Sequence, residues 1–161
     1  AFITGPDGMG MRDLGTLGGR HSEAHGINDA GWVVGRSYTA DGSYHAFITG
    51  PDGMGMRDLG TLAGTSSSAS DINDAGQVVG YSEAADGYSH AFITGPDGMG
   101  MTDLNSIADL PAGVYLTSAS AINNQGQVIA TIPEPASYAL MLAGLGLVGF
   151  MTRGKKAIAV H

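Results

Sequence analysis

The stretch RHSEAH, residues 20–25, brings together side chains that could bind a metal. His21 and His25 stand four residues apart with Glu23 between them. This spacing ligates zinc when a helix places both imidazoles on one face. We predict a loop here instead, because the corresponding residues 65–70 of the next repeat read TSSSAS. We therefore interpret the histidines as structural.

The stretch DINDAG, residues 71–76, contains part of a calcium-loop pattern. Ala75 stands where an oxygen ligand is needed, and no glutamate follows at the distance that would complete the loop. We predict turns in which Asn28, Asn73 and Asn123 bond the local backbone. Calcium stays open as an alternative, and we predict no other metal or cofactor.

The remaining candidate groups do not indicate catalysis. GPDGMGM has glycines but no lysine, so a nucleotide-binding loop is not expected. His45 and His90 recur at one repeat position and are expected to fix a turn or pair with a backbone carbonyl in each unit. The methionines at 9, 11, 54, 56, 99 and 101 are expected to fill gaps between sheets. We predict a protein that is not an enzyme.

Composition excludes several classes of protein. The chain has 161 residues, 27 glycines and no cysteine, so disulfides and thiolate metal sites are ruled out. Four arginines stand against fourteen carboxylates before residue 132, giving this part a formal charge of −10. Such a surface repels phosphate backbones, and we expect no nucleic acid partner. The chain begins inside a repeat and is expected to be the C-terminal part of a longer product.

A 45-residue repeat organises the chain up to residue 131. AFITGPDGMGM begins at residues 1, 46 and 91, and the third copy is lengthened by LPAGVYLTS. Each unit is predicted to form four short strands, with a break at AGTSSS (63–68) and a hairpin at each INDAG-type segment. The hairpins need glycine in the left-handed conformation, which Gly31, Gly76 and Gly126 would supply.

We predict an all-β body, since glycine interrupts every candidate helix before residue 132. Four strands per unit of this length are typical of a β-propeller blade. The chain holds three blades' worth, at about 1–45, 46–90 and 91–131, which we expect to be part of a larger ring. A β-solenoid or other stacked sheets are the alternatives.

The combination of motifs HAFITG, DLGTLAG and DINDAGQVVGYS resembles the HAF repeat of bacterial extracellular proteins. The likeness covers residues 1 to about 131. The third unit departs from it, with DLNSIAD and QVIAT, as a terminal capping unit would. This resemblance implies secretion and supplies no chemistry.

The C-terminal segment reads as a membrane-sorting signal. Residues 136–152 carry no charge and are predicted to form a transmembrane helix of about 25 Å. The basic tail 153–161, with Arg153, Lys155 and Lys156 as the stop, is expected to stay cytoplasmic. The linker 132–135 contains Pro133, Glu134 and Pro135, which hold this stretch extended.

The order of proline motif, apolar span and basic cluster resembles the PEP-CTERM sorting signal of Gram-negative bacteria. This resemblance implies recognition of Pro133, Glu134 and Pro135 by an exosortase, an integral-membrane processing enzyme. It also implies a mature protein that ends near Pro135. A plain membrane anchor is the alternative.

We expect an exported protein that is tethered to the inner membrane as a precursor and then reaches the cell surface or the extracellular (biofilm) matrix. There the repeats would serve as a scaffold or a binding surface, with loops such as residues 64–70 as contacts. One alternative is a propeller that binds or processes exopolysaccharide. Another is a fibre subunit that associates with copies of itself.

Overall fold

The computed structural model describes residues 1–133, which form twelve β-strands in four antiparallel sheets and contain no α-helix. Sheet 1 consists of β1 (Phe2–Ile3) and β2 (Arg12–Asp13). Sheet 2 consists of β3 (Gly18–Ile27), β4 (Val33–Thr39), β5 (Tyr44–Ile48) and β6 (Arg57–Gly60). Sheet 3 consists of β7 (Ala63–Ile72), β8 (Val78–Ala84), β9 (Ser89–Ile93) and β10 (Thr102–Asp103). Sheet 4 consists of β11 (Ser118–Ile122) and β12 (Val128–Thr131). The all-β prediction is confirmed.

Sheets 2 and 3 are meanders with the same strand order and register. Gly35 pairs with Phe47 in sheet 2, and Gly80 pairs with Phe92 in sheet 3. These sheets run over residues 18–60 and 63–103, so their phase differs from that of the sequence repeats, which begin at 1, 46 and 91. Sheet 1 therefore has the strands that come third and fourth in a complete sheet, and sheet 4 has those that come first and second.

Consecutive sheets stack through three apolar layers. Leu14, Val33 and Phe47 form the layer between sheets 1 and 2. The middle layer, between sheets 2 and 3, contains Val34, Ala46, Ile48, Ala69, Ile72, Val78 and Phe92. The third layer joins sheets 3 and 4 through Val79, Ala91, Leu104, Ala119 and Ile122. Each sheet thus buries a face against its neighbour that it could not bury alone.

Two segments predicted to be loops are strands instead. RHSEAH lies in β3, and AGTSSS forms the first half of β7. Small polar side chains can be buried there because they are hydrogen-bonded: Ala46 N–H donates to Ser67 Oγ at 2.9 Å, and Ser22 Oγ donates to the Gly15 carbonyl oxygen at 2.7 Å. Residues 64–70 therefore belong to the sheet interface, and the prediction that they form a contact loop is wrong.

Glycine is required where the first strand of each complete sheet bulges against the second. A Cβ atom on Gly35 would lie 1.9 Å from the Glu23 carbonyl oxygen, and one on Gly80 would lie 2.0 Å from that of Ser68. The bulges fall between Ala24 and Gly26 and between Ala69 and Asp71. The close approach of the two backbones leaves no room for a side chain at these positions.

The three predicted asparagine positions lie in repeat-related turns. In the second turn the side-chain oxygen of Asn73 accepts from Ala75 N–H at 3.1 Å and from Gln77 N–H at 3.0 Å. Asn28 and Asn123 make equivalent local bonds. Gly31, Gly76 and Gly126 follow with φ of 77°, 74° and 78°.

These turns are also joined from sheet to sheet. Asn28 Nδ2 donates to the Asn73 carbonyl oxygen, and Asn73 Nδ2 donates to that of Asn123, each at 3.1 Å. A ladder of side-chain amides therefore connects sheets 2, 3 and 4 along one rim of the stack. Each of these carbonyl oxygens also accepts from the glycine N–H of its own turn, Gly76 or Gly126, at 3.0 Å.

The methionine prediction is wrong at four of its six positions. Met9, Met11, Met54 and Met99 are exposed, whereas Met56 and Met101 pack against the apolar layers. The first methionines of the GPDGMGM loops are exposed, whereas Gly53 and Gly98 in the same loops are buried against side chains of the preceding sheet.

The sheets of residues 1–133 stack without closing a ring, so the propeller stays a prediction. Within this part of the chain no helix has the length and hydrophobicity needed to cross a bilayer. The predicted transmembrane helix 136–152 lies outside the described residues, as do Glu134, Pro135, Arg153, Lys155 and Lys156. Pro133 is the last described residue.

Candidate functional site

A cleft of about 400 Å³ opens at the end of sheet 3, lined by Asp86, Tyr88, His90, Asn105 and Tyr115. Asp86 and Tyr88 come from the β8–β9 hairpin, and His90 comes from β9. Asn105 lies in the short 3-10 turn Leu104–Ser106, and Tyr115 lies in the loop before β11. The cleft therefore collects side chains from three segments that are distant in sequence.

The β8–β9 hairpin fixes one wall of the cleft. Ala84 N–H donates to the Tyr88 carbonyl oxygen at 2.9 Å, and Tyr88 N–H donates to Asp86 Oδ1 at 3.0 Å. Gly87 between them has φ of 80°. This closed turn leaves the Tyr88 side chain 66% exposed at the mouth of the cleft. Together with Tyr115 across the cleft, this ring provides an exposed aromatic surface of the kind that binding sites use.

The loop with the five-residue insertion provides the opposite wall. The Asn105 side chain holds it, because Nδ2 donates to the Leu116 carbonyl oxygen at 3.0 Å and Oδ1 accepts from Leu116 N–H. Ala91 N–H of β9 also donates to the Leu116 carbonyl oxygen, at 3.0 Å. The loop is thereby fixed beside β9, and Tyr115 is 44% exposed at the cleft.

His90 lies at the base of the cleft between two carboxylates. Its Nδ1 is 2.7 Å from Asp103 Oδ2 and its Nε2 is 3.1 Å from Asp86 Oδ2. The hydrogen bond with Asp103 raises the pKa of His90, although partial burial opposes this. Burial works against ionisation of Asp103, but hydrogen bonds from His90 and Asn105 outweigh it and lower the pKa of that carboxyl. His90, Asp86 and Asp103 therefore form one hydrogen-bonded group at the base of the cleft.

The equivalent end of sheet 2 has the histidine pair, and its pocket of about 490 Å³ is lined by a single tyrosine, Tyr38. His45 Nδ1 lies 2.8 Å from Asp58 Oδ2, as His90 does from Asp103. Ser43 and Gly60 stand at the positions of Tyr88 and Asn105, and no insertion precedes β7. The histidine and aspartate thus belong to the repeat, whereas the aromatic walls are particular to sheet 3.

Sequence reasoning singled out His90 and missed Tyr88, Asn105, Tyr115, Asp86 and Asp103 as cleft residues. Two signals could have found them. The insertion LPAGVYLTS is the one place where the 45-residue spacing of these motifs fails, and insertions on a repeat scaffold are where binding loops arise. Tyr88 and Ser89 also stand where the preceding unit has Ser43 and Tyr44, so the tyrosine is shifted by one residue.

The RHSEAH cluster is occupied by structural contacts. Glu23 Oε2 lies 2.7 Å from Arg36 Nη2, and this hydrogen-bonded pair lowers the pKa of Glu23. His25 Nδ1 lies 2.7 Å from the Ala69 carbonyl oxygen of the next sheet. His21 Nε2 is 3.3 Å from Glu23 Oε1. These contacts link β3 to its neighbours.

Metal-ligating groups do not converge anywhere in residues 1–133: no set of three His, Asp or Glu side chains is placed to hold an ion. In the DINDAG turn, Asp71 Oδ2 accepts from Ile122 N–H of sheet 4 at 2.9 Å. Asp74 Oδ1 accepts from Asp29 N–H at 3.2 Å. These carboxylates serve as bridges between sheets.

A protein-family model described as the PEP-CTERM protein-sorting motif matches residues 131–156. The match includes Pro133, Glu134 and Pro135, the apolar span and the basic residues up to Lys156. It supports an exported protein with a membrane-anchored precursor that an exosortase processes. No curated protein and no solved structure matches the chain significantly. The likeness of residues 1–131 to the HAF repeat stays a prediction.

Proposed function

We propose that this protein is a non-enzymatic, glycan-binding repeat protein of the cell surface or extracellular matrix. The observation that carries the proposal is the cleft with Tyr88 and Tyr115 as its walls. Exposed tyrosine rings offer apolar faces to the C–H groups of a pyranose ring and hydroxyl groups to its oxygens. The stacked sheets serve as the rigid scaffold that holds the walls in place.

Charge narrows the class of glycan to neutral polymers, and neutral hexose oligosaccharides are the probe used below. The cleft contains the carboxylate of Asp86, and the surrounding repeats carry many more carboxylates than arginines. An acidic polysaccharide would be repelled by this field. A neutral sugar hydroxyl, in contrast, can donate a hydrogen bond to a remaining lone pair of the Asp86 carboxylate, whose oxygens each have one protein partner.

A binding role is favoured over glycan hydrolysis because the carboxylates of the cleft are already engaged. Hydrolysis needs one carboxyl group as acid and a second as base or nucleophile across the scissile bond. Asp86 and Asp103 instead hold opposite nitrogens of one imidazole. This arrangement fixes His90 and leaves no second carboxylate facing a bound sugar.

Binding can be tested by calorimetry on the 161-residue chain in mild detergent, with neutral hexose oligosaccharides and alginate oligosaccharides of matched length. We expect binding of a neutral oligosaccharide and a loss of at least about tenfold in affinity for Tyr88→Ala or Tyr115→Ala, equivalent to about 1.4 kcal/mol. Tyr38→Ala is the matched control, since Tyr38 is also an exposed tyrosine but packs against Tyr44 and lines the separate pocket of sheet 2. Equal losses of affinity in all three variants would refute the site. A change of affinity on addition of EDTA would indicate that calcium takes part in binding.

Processing can be tested separately with the double variant Pro133→Ala, Glu134→Ala. Replacing the motif is expected to leave the precursor in the inner membrane, because the exosortase would lose its recognition element. Asp109→Ala with Pro111→Ala is the matched control, since it removes an exposed acid and an exposed proline elsewhere. Normal release of the motif variant would contradict the processing role of these residues.

A further inference from the structure

The chain leaves its last sheet at the end of the stack where the cleft lies. β12 begins beside the third asparagine turn and ends at Thr131, which pairs with Ser118 at the start of β11. Thr117 N–H donates to the Thr131 carbonyl oxygen at 2.9 Å, and Tyr115 of the cleft is two residues earlier. We call this end of the stack, with the β8–β9 hairpin, the inserted loop and Thr131, the cleft end.

The sorting motif sets the distance from the cleft end to the membrane. The motif begins at Thr131 and supports a membrane-anchored precursor. The charge-free segment begins at residue 136, so only residues 132–135 separate it from β12. Four fully extended residues span at most about 14 Å. β8, with seven residues, is about 23 Å long, so a linker this short cannot pass along a sheet to the opposite end. We propose that the cleft end lies against the lipid bilayer in the anchored precursor.

Large side chains exposed at the cleft end suit a bilayer surface. They are Tyr88, Ile107, Tyr115 and Ile132, with exposed fractions of 66%, 62%, 44% and 50%. Ile107 follows the 3-10 turn that contains Asn105, and Ile132 follows β12 directly. Tyrosine is enriched at the level of the lipid headgroups, where its ring meets apolar and its hydroxyl polar surroundings. Contact with the bilayer would therefore remove apolar surface from water.

The opposite end of the stack also exposes apolar side chains, but it points away from the anchor. Met54 and Met99 are 61% and 63% exposed in the GPDGMGM loops. Gly53 N–H donates to the Gly31 carbonyl oxygen at 3.2 Å, which places the first of these two loops beside an asparagine turn. The position of Thr131, and not exposure alone, therefore selects the cleft end. Sheets stacked beside sheet 1 would leave this position unchanged.

Charge favours a zwitterionic lipid surface as the partner. Asp86 and Asp103 are hydrogen-bonded to His90, but Asp109 in the inserted loop is exposed, and carboxylates outnumber arginines before residue 132. An anionic lipid surface would repel this charge. Zwitterionic headgroups would not, and the short tether holds the body at high effective concentration, so that a weak contact suffices.

The contact would close the cleft to a polymer until the sorting motif is cleaved, a consequence that rests on the proposed glycan binding. A gap limited by a linker of about 14 Å admits a short oligosaccharide. A polymer chain crossing the cleft would instead have to run between the body and the bilayer. Cleavage near Pro135 would separate the cleft end from the membrane and open the cleft to the polymer.

The membrane contact can be tested by fluorescence quenching, because the chain has no cysteine and a single label can be placed at either end. The 161-residue chain would be reconstituted in phosphatidylcholine vesicles containing a lipid with a nitroxide on its headgroup. A fluorophore on Ile107→Cys is compared with one on Met54→Cys, since these side chains are 62% and 61% exposed at opposite ends. We expect at least about threefold stronger quenching at position 107, because the ends are separated by the length of a strand.

Two outcomes of this comparison would overturn the proposal. The first is equal quenching at the two positions, or stronger quenching for Met54→Cys. The second is stronger quenching for Ser120→Cys than for Ile107→Cys. Ser120 is exposed within β11, so that result would show that sheet 4, and not the cleft end, lies against the bilayer.

A longer linker tests whether the contact closes the cleft. A 30-residue Gly-Ser insertion between Pro135 and Ala136 has a root-mean-square length of about 30 Å, so it frees the cleft end from the bilayer. In the same vesicles this variant should bind a neutral hexose polymer at least about tenfold more tightly than the wild type. Equal binding by both would overturn the closure. Binding by neither, together with none by the wild type in detergent, would refute the glycan function, and the quenching comparison would still decide the membrane contact.

Discussion

Sheets 2 and 3 are built from nearly the same sequence, but only the cleft of sheet 3 is lined by two tyrosines, whereas the pocket beside the β4–β5 hairpin of sheet 2 is lined by one, Tyr38. Both have the buried phenylalanine opposite glycine, the bulge in the first strand and the histidine–aspartate pair. They differ at Tyr88 against Ser43, at Asn105 against Gly60, and in the inserted loop. The repeated residues therefore build the scaffold, and the departures from the repeat build the site.

The largest expected effect tests whether sheets 2 and 3 contribute equally to the stability of the fold. Phe92→Ala removes a fully buried ring and should destabilise the chain by about 3–5 kcal/mol. Phe47→Ala should cost about the same, because its environment is the repeat equivalent. Thermal unfolding followed by circular dichroism compares the two variants, and a large loss in one with little in the other would show that the sheets are not equivalent.

A second change removes what holds the inserted loop. Asn105→Gly installs the residue that sheet 2 has at this position and removes both hydrogen bonds to Leu116. We expect a loss of about 1–3 kcal/mol in the free energy of unfolding. Glycan affinity should also fall, because the loop is no longer held at the cleft. The reverse change, Gly60→Asn, is the control. Gly60 has φ of 76°, a conformation that asparagine tolerates, so little stability should be lost there. Wild-type glycan affinity in Asn105→Gly would contradict the role given to the loop.

A third change separates binding from stability. Tyr88→Ser installs the residue of sheet 2 at an exposed position, so we expect stability within about 0.5 kcal/mol of wild type. Glycan affinity should fall about tenfold, as for the alanine variant. The reciprocal Ser43→Tyr should gain no binding, since sheet 2 lacks the opposite wall; a gain would mean that one exposed ring suffices.

The smallest expected effect concerns pH. The raised pKa of His90 means that its ion pair stabilises the fold fully below the unfolded value of about 6.5 and that this contribution is lost as pH rises through the folded pKa. The lowered pKa of Asp103 means that its contribution is lost as pH falls toward and below about 4. The melting temperature of the wild type should therefore be higher at pH 6 than at pH 8. His90→Gln should reduce this difference, and an unchanged difference would show that another group causes it.

Much of the scaffold could be predicted from the sequence because repetition reinforces each local signal. The all-β class and the left-handed glycines after Asn28, Asn73 and Asn123 follow from turn chemistry alone. The extent of β3 and β7 could not be predicted, since RHSEAH and AGTSSS lack apolar alternation. These segments can form strands because hydrogen bonds to a neighbouring sheet, such as that of Ser67, satisfy their small polar side chains.

The cleft was harder to predict because its residues come together only through tertiary structure. Tyr88 and Tyr115 are 27 positions apart in the sequence. Asn105 contributes by holding the backbone of Leu116 with a hydrogen bond, which no sequence pattern indicates. Periodicity draws attention to what recurs, such as His45 and His90. The binding residues are those that do not recur.

Hydrogen–deuterium exchange of the 161-residue chain, with and without a neutral hexose oligosaccharide at saturating concentration, compares the two sheet ends in one experiment. Added protection is expected in residues 84–90 and 104–117, which form the cleft, and not in residues 39–45 and 59–63 at the corresponding end of sheet 2. Equal protection at both ends, or none at residues 84–90 and 104–117, would contradict glycan binding at the departures from the repeat.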